Sequence, residues 1–191
     1  MVRGWNVARF AYVRAQIIQS HDAETASLRR WIGTPGVTEA ALKASLRSMT
    51  DATDIEGARR RESGLAAIIA ARPLSAENWL AIAGMRLVTG EPYQQVLDAL
   101  AMSSVTGPNE GAVMWQRGIF GVLQWENLPQ SARKRTISDL AGAVLGTSPN
   151  DGEFLSAKNI LRGKPPLTRE DVADLMRAEG VPPSALGRMG L

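Results

Sequence analysis

The sequence predicts an all-α fold, with helical hairpins stacked side by side into a short α-solenoid. Three observations predict it. Of 191 residues, 45% are apolar, enough for a folded core and too many for wholesale disorder. Ala, Leu, Arg and Met are plentiful and β-branched runs are few, which favours helix over strand. Thr106-Gly107-Pro108-Asn109-Glu110-Gly111 recurs as Thr147-Ser148-Pro149-Asn150-Asp151-Gly152, each segment closing one apolar helical stretch and opening the next. The interval between them, and back to Arg72-Pro73-Leu74-Ser75, is the length of a helical hairpin. Arrays of such pairs bind partners more often than they do chemistry.

Residues 1–53 predict N-terminal helices. Apolar spacing places one from about Asn6 to Gln19, with Phe10, Val13 and Ile17 on a common face after Trp5. Asp22 caps a second that reaches Trp31 and stops at Gly33-Thr34-Pro35-Gly36, and Thr38 starts a third with Leu42 and Leu46 inward. Met1 to Ser20 has neither a continuous apolar core nor a small-residue cleavage site, so it reads as neither a signal peptide nor a membrane span. The abrupt start suits the soluble part of a longer protein that follows a membrane anchor.

Residues 54–146 predict the helical core. Asp54 caps a helix through Leu65, Ile68 and Ile69 that ends at Pro73. Ser75 is the next N-cap, Glu77 sits in the favourable first turn, and Gly90 is the C-terminal stop. Trp79, Ile82, Ala83 and Leu87 share a face of that helix. Pro92 opens the following one, where a missing N–H costs nothing, and Tyr93, Val96, Leu97, Leu100 and Ser103 form its inward stripe. Asn109 caps a long helix to about Glu126 that is apolar almost all round, which predicts a central position. Pro129 opens another, with Ile137, Leu140, Val144 and Leu145 inward.

Residues 147–191 predict C-terminal helices and a loose tail. Asp151 begins a short helix carrying Phe154, Ala157 and Leu161. After Lys164-Pro165-Pro166, Thr168 and Asp171 resemble a capping box, with Leu167 stapled to Val172. Val181-Pro182-Pro183 ends that helix, and the residues beyond it predict loose attachment.

Composition excludes several chemistries. Lys plus Arg is 22 against 19 for Asp plus Glu, a net charge of +3, too small an excess to argue for nucleic acid. There is no Cys, which removes disulfides, thiolate zinc and cysteine catalysis. The single His21 removes most metal and Ser–His chemistry. No Gly-rich phosphate loop or nucleophile elbow is present. No catalytic residue, cofactor or metal ligand is therefore assigned.

Residues 77–110 resemble one tetratricopeptide repeat, a helix–turn–helix unit. The family's large residue falls at Leu80, its small helix-contact position at Gly84 and its next large position at Leu87. Its second-helix positions fall at Val96, Leu100 and Ser103, and its closing proline at Pro108. Leu80 and Leu87 replace the usual aromatics and Val96 a small residue, while Gly118 keeps the small position in the following segment before Leu128-Pro129 interrupts it. The resemblance implies a concave face that holds an extended peptide or partner helix. A second resemblance, carried by Arg72–Trp79, Met102–Glu110 and Gln124–Pro129, is to alphaproteobacterial helical-repeat proteins that accompany surface-polysaccharide genes behind a membrane anchor. It implies a role in the cell envelope, periplasmic or membrane-anchored.

The expected function is a non-enzymatic interaction module with a protein or peptide partner. Arg86, Glu110 and Arg117 are its expected polar contacts, and Trp79 and Trp115 shape its walls. Against this stand core packing for the tryptophans, with Trp125 the most exposed of the three, and structural ion pairing for the charges. Short arrays expose apolar ends, so a homodimer fits. The first alternative is a polyanion-binding module using Arg59-Arg60-Arg61, Arg133-Lys134-Arg135 and Arg29-Arg30, though Glu56 and Glu62 dilute the first cluster and no aromatics interleave. The second is an enzyme on a helical scaffold, for which Glu110 and Asp151 are the candidate paired acids, and the helix dipole already explains both.

Overall fold

The computed structural model describes residues 55–147 and 149–191. The expected helices before residue 54, the Asp54 cap, His21 and Arg29-Arg30 lie outside the described residues. Among the described residues there are eight α-helices, one 3-10 turn and no strand. The chain divides into two compact units between Thr106 and Gly107. The first contains α1 (Ile55–Ala71), α2 (Ala76–Thr89) and α3 (Tyr93–Thr106). The second contains α4 (Gly111–Leu123), a 3-10 turn (Trp125–Asn127), α5 (Gln130–Gly146), α6 (Asp151–Arg162), α7 (Pro166–Ala178) and α8 (Pro183–Met189).

In the first unit α2 packs against both α1 and α3. Ser75 stands at the N-cap in extended backbone but makes no side-chain cap bond. Gly90 ends α2 in the left-handed region, at φ 72°, which lets the Glu91 N–H turn back to the Arg86 carbonyl at 3.0 Å. Ser103 Oγ donates to the Ala76 carbonyl at 2.8 Å, and Arg86 Nη1 donates to the Gln95 carbonyl at 3.0 Å. These two bonds pair the start of α2 with the end of α3 and the reverse, so the helices run antiparallel. Leu80, Ala83, Val96 and Ala99 are buried. Gly84, which the repeat pattern puts at the close helix contact, is not one: an added Cβ meets nothing within 4 Å among the described residues.

The second unit holds the close contact instead. A Cβ on Gly121 would overlap Thr136 Oγ1 and come within 2.8 Å of its Cβ, and one on Gly118 would lie 3.2 Å from the Leu140 amide nitrogen. The missing side chains let α4 and α5 approach along an antiparallel seam. α6, α7 and α8 join the same core, which includes Trp115, Val122, Trp125, Leu140, Phe154, Leu161, Val172, Met176, Leu186 and Met189. That shared core keeps α4 to α8 in one unit.

Several local expectations change. α4 stops at Leu123, and i→i+3 bonds from Asn127 to Gln124 (2.9 Å) and Leu128 to Trp125 (3.2 Å) tighten the chain ahead of Pro129. The proline holds Leu128 extended, at ψ 135°, which a continuing helix cannot accept. The turn folds Trp125 inward to 2% exposure, the opposite of the exposure expected for it. Leu145, expected inward, is 55% exposed, because Val144 takes the buried place in the last turn of α5. The expected Asn109 cap is displaced by one residue, and Glu110 occupies the N-cap without a side-chain bond. Asn150 caps α6 as expected, in a full capping box: its Oδ1 accepts the Glu153 N–H at 3.0 Å, and Glu153 Oε2 accepts the Asn150 N–H at 2.8 Å. The Thr168–Asp171 box does not form, since α7 already begins at Pro166 with its preset φ. The tail is not loose: Ala185, Leu186 and Met189 are buried on one face of α8.

Candidate functional site

The five expected contact residues fall into both units. In the first unit, Trp79 is partly exposed and its Nε1 donates to the Pro73 carbonyl at 2.8 Å, which lays the indole back along the turn before α2. Arg86 is half-buried, and its Nε reaches Glu62 Oε1 at 3.2 Å while Nη1 holds the Gln95 carbonyl. One guanidinium therefore ties α2 to both neighbours. Glu62 looks in sequence like a diluter of the arginine run. Its true role depends on a partner 24 positions away, which no local pattern reports.

In the second unit, Glu110 is exposed, whereas Trp115 and Arg117 are interior. Trp115 is 5% exposed and meets Phe154 edge-on, with ring centroids 5.7 Å apart. Arg117 is 3% exposed and forms a two-pronged pair with Asp139, Nη2 to Oδ1 at 2.7 Å and Nε to Oδ2 at 2.9 Å. Its Nη1 donates to the Gly107 carbonyl at 3.1 Å. Neither side chain offers a surface to a partner, which corrects their placement in a groove. A planar fork needs both carboxylate oxygens and excludes water, and that geometry suits an internal fastening.

The densest polar arrangement surrounds the 3-10 turn. Lys164 Nζ donates to the Leu123 carbonyl at 2.7 Å and to Glu126 Oε2 at 2.8 Å, and Thr168 Oγ1 donates to Glu126 Oε1 at 3.2 Å. Trp125 Nε1 donates to Asp171 Oδ2 at 3.1 Å. Arg133 Nε is shared between the Trp125 and Leu128 carbonyls, both at 3.1 Å, and its guanidinium lies 5.4 Å from the Trp125 ring centroid. Thr168 and Asp171, read in sequence as a local cap, are spent on this turn. The Lys164 hydrogen bond holds the Glu126 carboxyl below its usual range against the opposing effect of burial. In the first unit, burial raises the Tyr93 hydroxyl. At the C-terminus, Arg188 lies over Phe154, 3.7 Å from its centroid, and pairs with Asp151 at 2.5 Å.

These arrangements bridge helices. Among the described residues, no group of three or more His, Asp or Glu is placed to hold a metal ion, and no helix is long and apolar enough to cross a membrane. No protein-family model, curated protein or solved structure matches the chain.

Proposed function

We propose that the chain is a non-enzymatic interaction module built on tetratricopeptide-like stacking of helical hairpins. The observation that carries this reading is how the charged side chains are used. Arg117 and Lys164 each bridge an acid and a backbone carbonyl of another segment, so the chemistry they hold is structural, and Arg86 makes the same kind of bridge while keeping 23% of its side chain exposed. Of the basic clusters, Arg59 pairs with Glu56 one turn back on the exposed side of its own helix, 3.4 Å away, and Arg133 is taken up by the 3-10 turn. That leaves the polyanion reading with little to support it.

In this proposal partner contact falls to the face of α2 that carries Trp79 and Arg86, two turns apart on one side of the helix. Trp79 supports it as the partly exposed member of the three described tryptophans. The partner is an extended peptide or helix of another protein. An envelope setting and a homodimer belong to the same proposal. The test is affinity capture from envelope and soluble fractions with wild type and with a Trp79→Ala, Arg86→Ala double variant, matched for helical circular dichroism. A discrete protein retained at high salt by wild type and lost by the variant is the expected result. Equal capture by both would remove the α2 face from the proposal.

A further inference from the structure

The two look-alike loops are fixed by different means. The second is held locally, by the Asn150–Glu153 capping box. The first has no such device, for Asn109 is exposed and Glu110 stands at the N-cap without a side-chain bond. Its fixed point comes from inside the unit, where Arg117 Nη1 grips the carbonyl of the buried Gly107. Asp139 accepts from Nε and Nη2 of that guanidinium and aims it. The far end of the loop rests on the second one, since a Cβ on Gly111 would overlap Thr147 Cγ2.

A buried ion pair is a weak way to hold two helices together, because desolvation offsets most of the attraction and apolar residues of like volume do as well or better. The Gly118 and Gly121 seam already supplies that packing. What an apolar pair cannot do is donate to a buried carbonyl, and an unmet buried carbonyl is costly. We propose that the Arg117–Asp139 pair is a latch on Gly107–Glu110. It sets the conformation of the segment that leads into α4, and its loss frees that segment while the α4–α5 hairpin stays folded.

The test is the double variant Arg117→Met, Asp139→Leu in the full chain, which removes both charges and keeps the volume. Hydrogen exchange is read at Met114, whose N–H bonds the Glu110 carbonyl at 2.8 Å, and at Leu140–Val144 in α5. Cleavage by a Glu-specific protease is read at the Glu110–Gly111 bond, on the carboxyl side of the exposed Glu110. The latch predicts exchange at Met114 faster by about tenfold or more, with α5 amides within about twofold of wild type, and faster cleavage. Unchanged exchange and cleavage at the loop overturn it. So does a rise in α5 equal to that at Met114, because the pair then holds the hairpin and not the loop. If the double variant does not fold, Arg117→Lys, which keeps one cation but loses the fork, is read for the same ratio and judged by the same two outcomes.

Discussion

In α2–α3 the antiparallel helices are tied at their ends, by Ser103 to the Ala76 carbonyl and by Arg86 to the Gln95 carbonyl, and a Cβ on the central Gly84 would meet no atom of the described residues within 4 Å. In α4–α5 the middle carries the contact: Gly118 and Gly121 admit Leu140 and Thr136, and Arg117 meets Asp139 beside them, away from water. The hairpin whose sequence matches the repeat pattern better is the one without the close seam. A glycine at a pattern position is therefore no evidence of close approach until a neighbour stands where its side chain would go.

The largest expected difference between the hairpins is in their ion pairs. Asp139→Ala takes the carboxylate from a guanidinium that is 2% exposed, leaving its charge buried, at a cost of about 3–5 kcal/mol to the second unit. Glu62→Ala leaves Arg86 at 23% exposure with a carbonyl partner and water in reach, and costs about 1 kcal/mol or less. Residue-level hydrogen exchange in each unit separates the two effects. Similar losses would mean that the second pair is better hydrated than its geometry implies.

The glycines should differ in sign. Gly121→Ala drives a methyl into Thr136, whose branched side chain has few rotamers to escape to, and should cost about 1–3 kcal/mol. Gly84→Ala meets no neighbour among the described residues and removes the entropy cost of glycine in a helix, so it should stabilise the first unit by about 0.5–1 kcal/mol. Urea denaturation of the two variants checks this, and a destabilising Gly84→Ala would restore the close contact that the repeat pattern expects.

The loops extend the contrast at smaller scale. Asn150→Ala removes a cap with both bonds in place and should cost about 1 kcal/mol, whereas Asn109→Ala, at an exposed position ahead of the true N-cap, should change stability by only a few tenths. Thermal melts of the two variants suffice. Equal shifts would show that Asn109 caps α4 in solution.

What could be read from the sequence follows range along the chain. The helical class, the Gly90 stop, the Asn150 cap, the Pro129 start and the Phe154, Ala157 and Leu161 stripe all depend on residues within a turn or two of each other, and all appear in the structure. What went unread depends on distant partners. Arg117 finds Asp139 at 22 positions, Arg86 finds Glu62 at 24, and Lys164 finds Glu126 at 38. The misread capping box shows the rule in one motif: Thr168 and Asp171 have the right spacing for a local cap, but Pro166 starts the helix earlier and turns both side chains toward a turn 42 and 46 residues back. For the candidate site, the sequence named Arg86 and Arg117 as charges that matter, and Arg117 proved to act inward.

The smallest effect is a pH dependence confined to the second unit. The Glu126 carboxyl is held below its usual range chiefly by the Lys164 hydrogen bond. A carboxyl whose folded pKa is depressed contributes stability that is complete above its unfolded value, about 4.3, and is lost as pH falls through the folded value. Lys164→Met removes the cause, so the variant should be less stable than wild type at neutral pH and approach it as the solution is acidified. With the carboxylate 44% exposed, solvent screening keeps the gap near the surface-pair range of about 0–1 kcal/mol. Urea denaturation at neutral and acid pH measures it. A gap that persists at low pH would assign the loss to the bond from Lys164 to the Leu123 carbonyl, which does not titrate, and the clamp on the 3-10 turn would then be mainly a backbone contact.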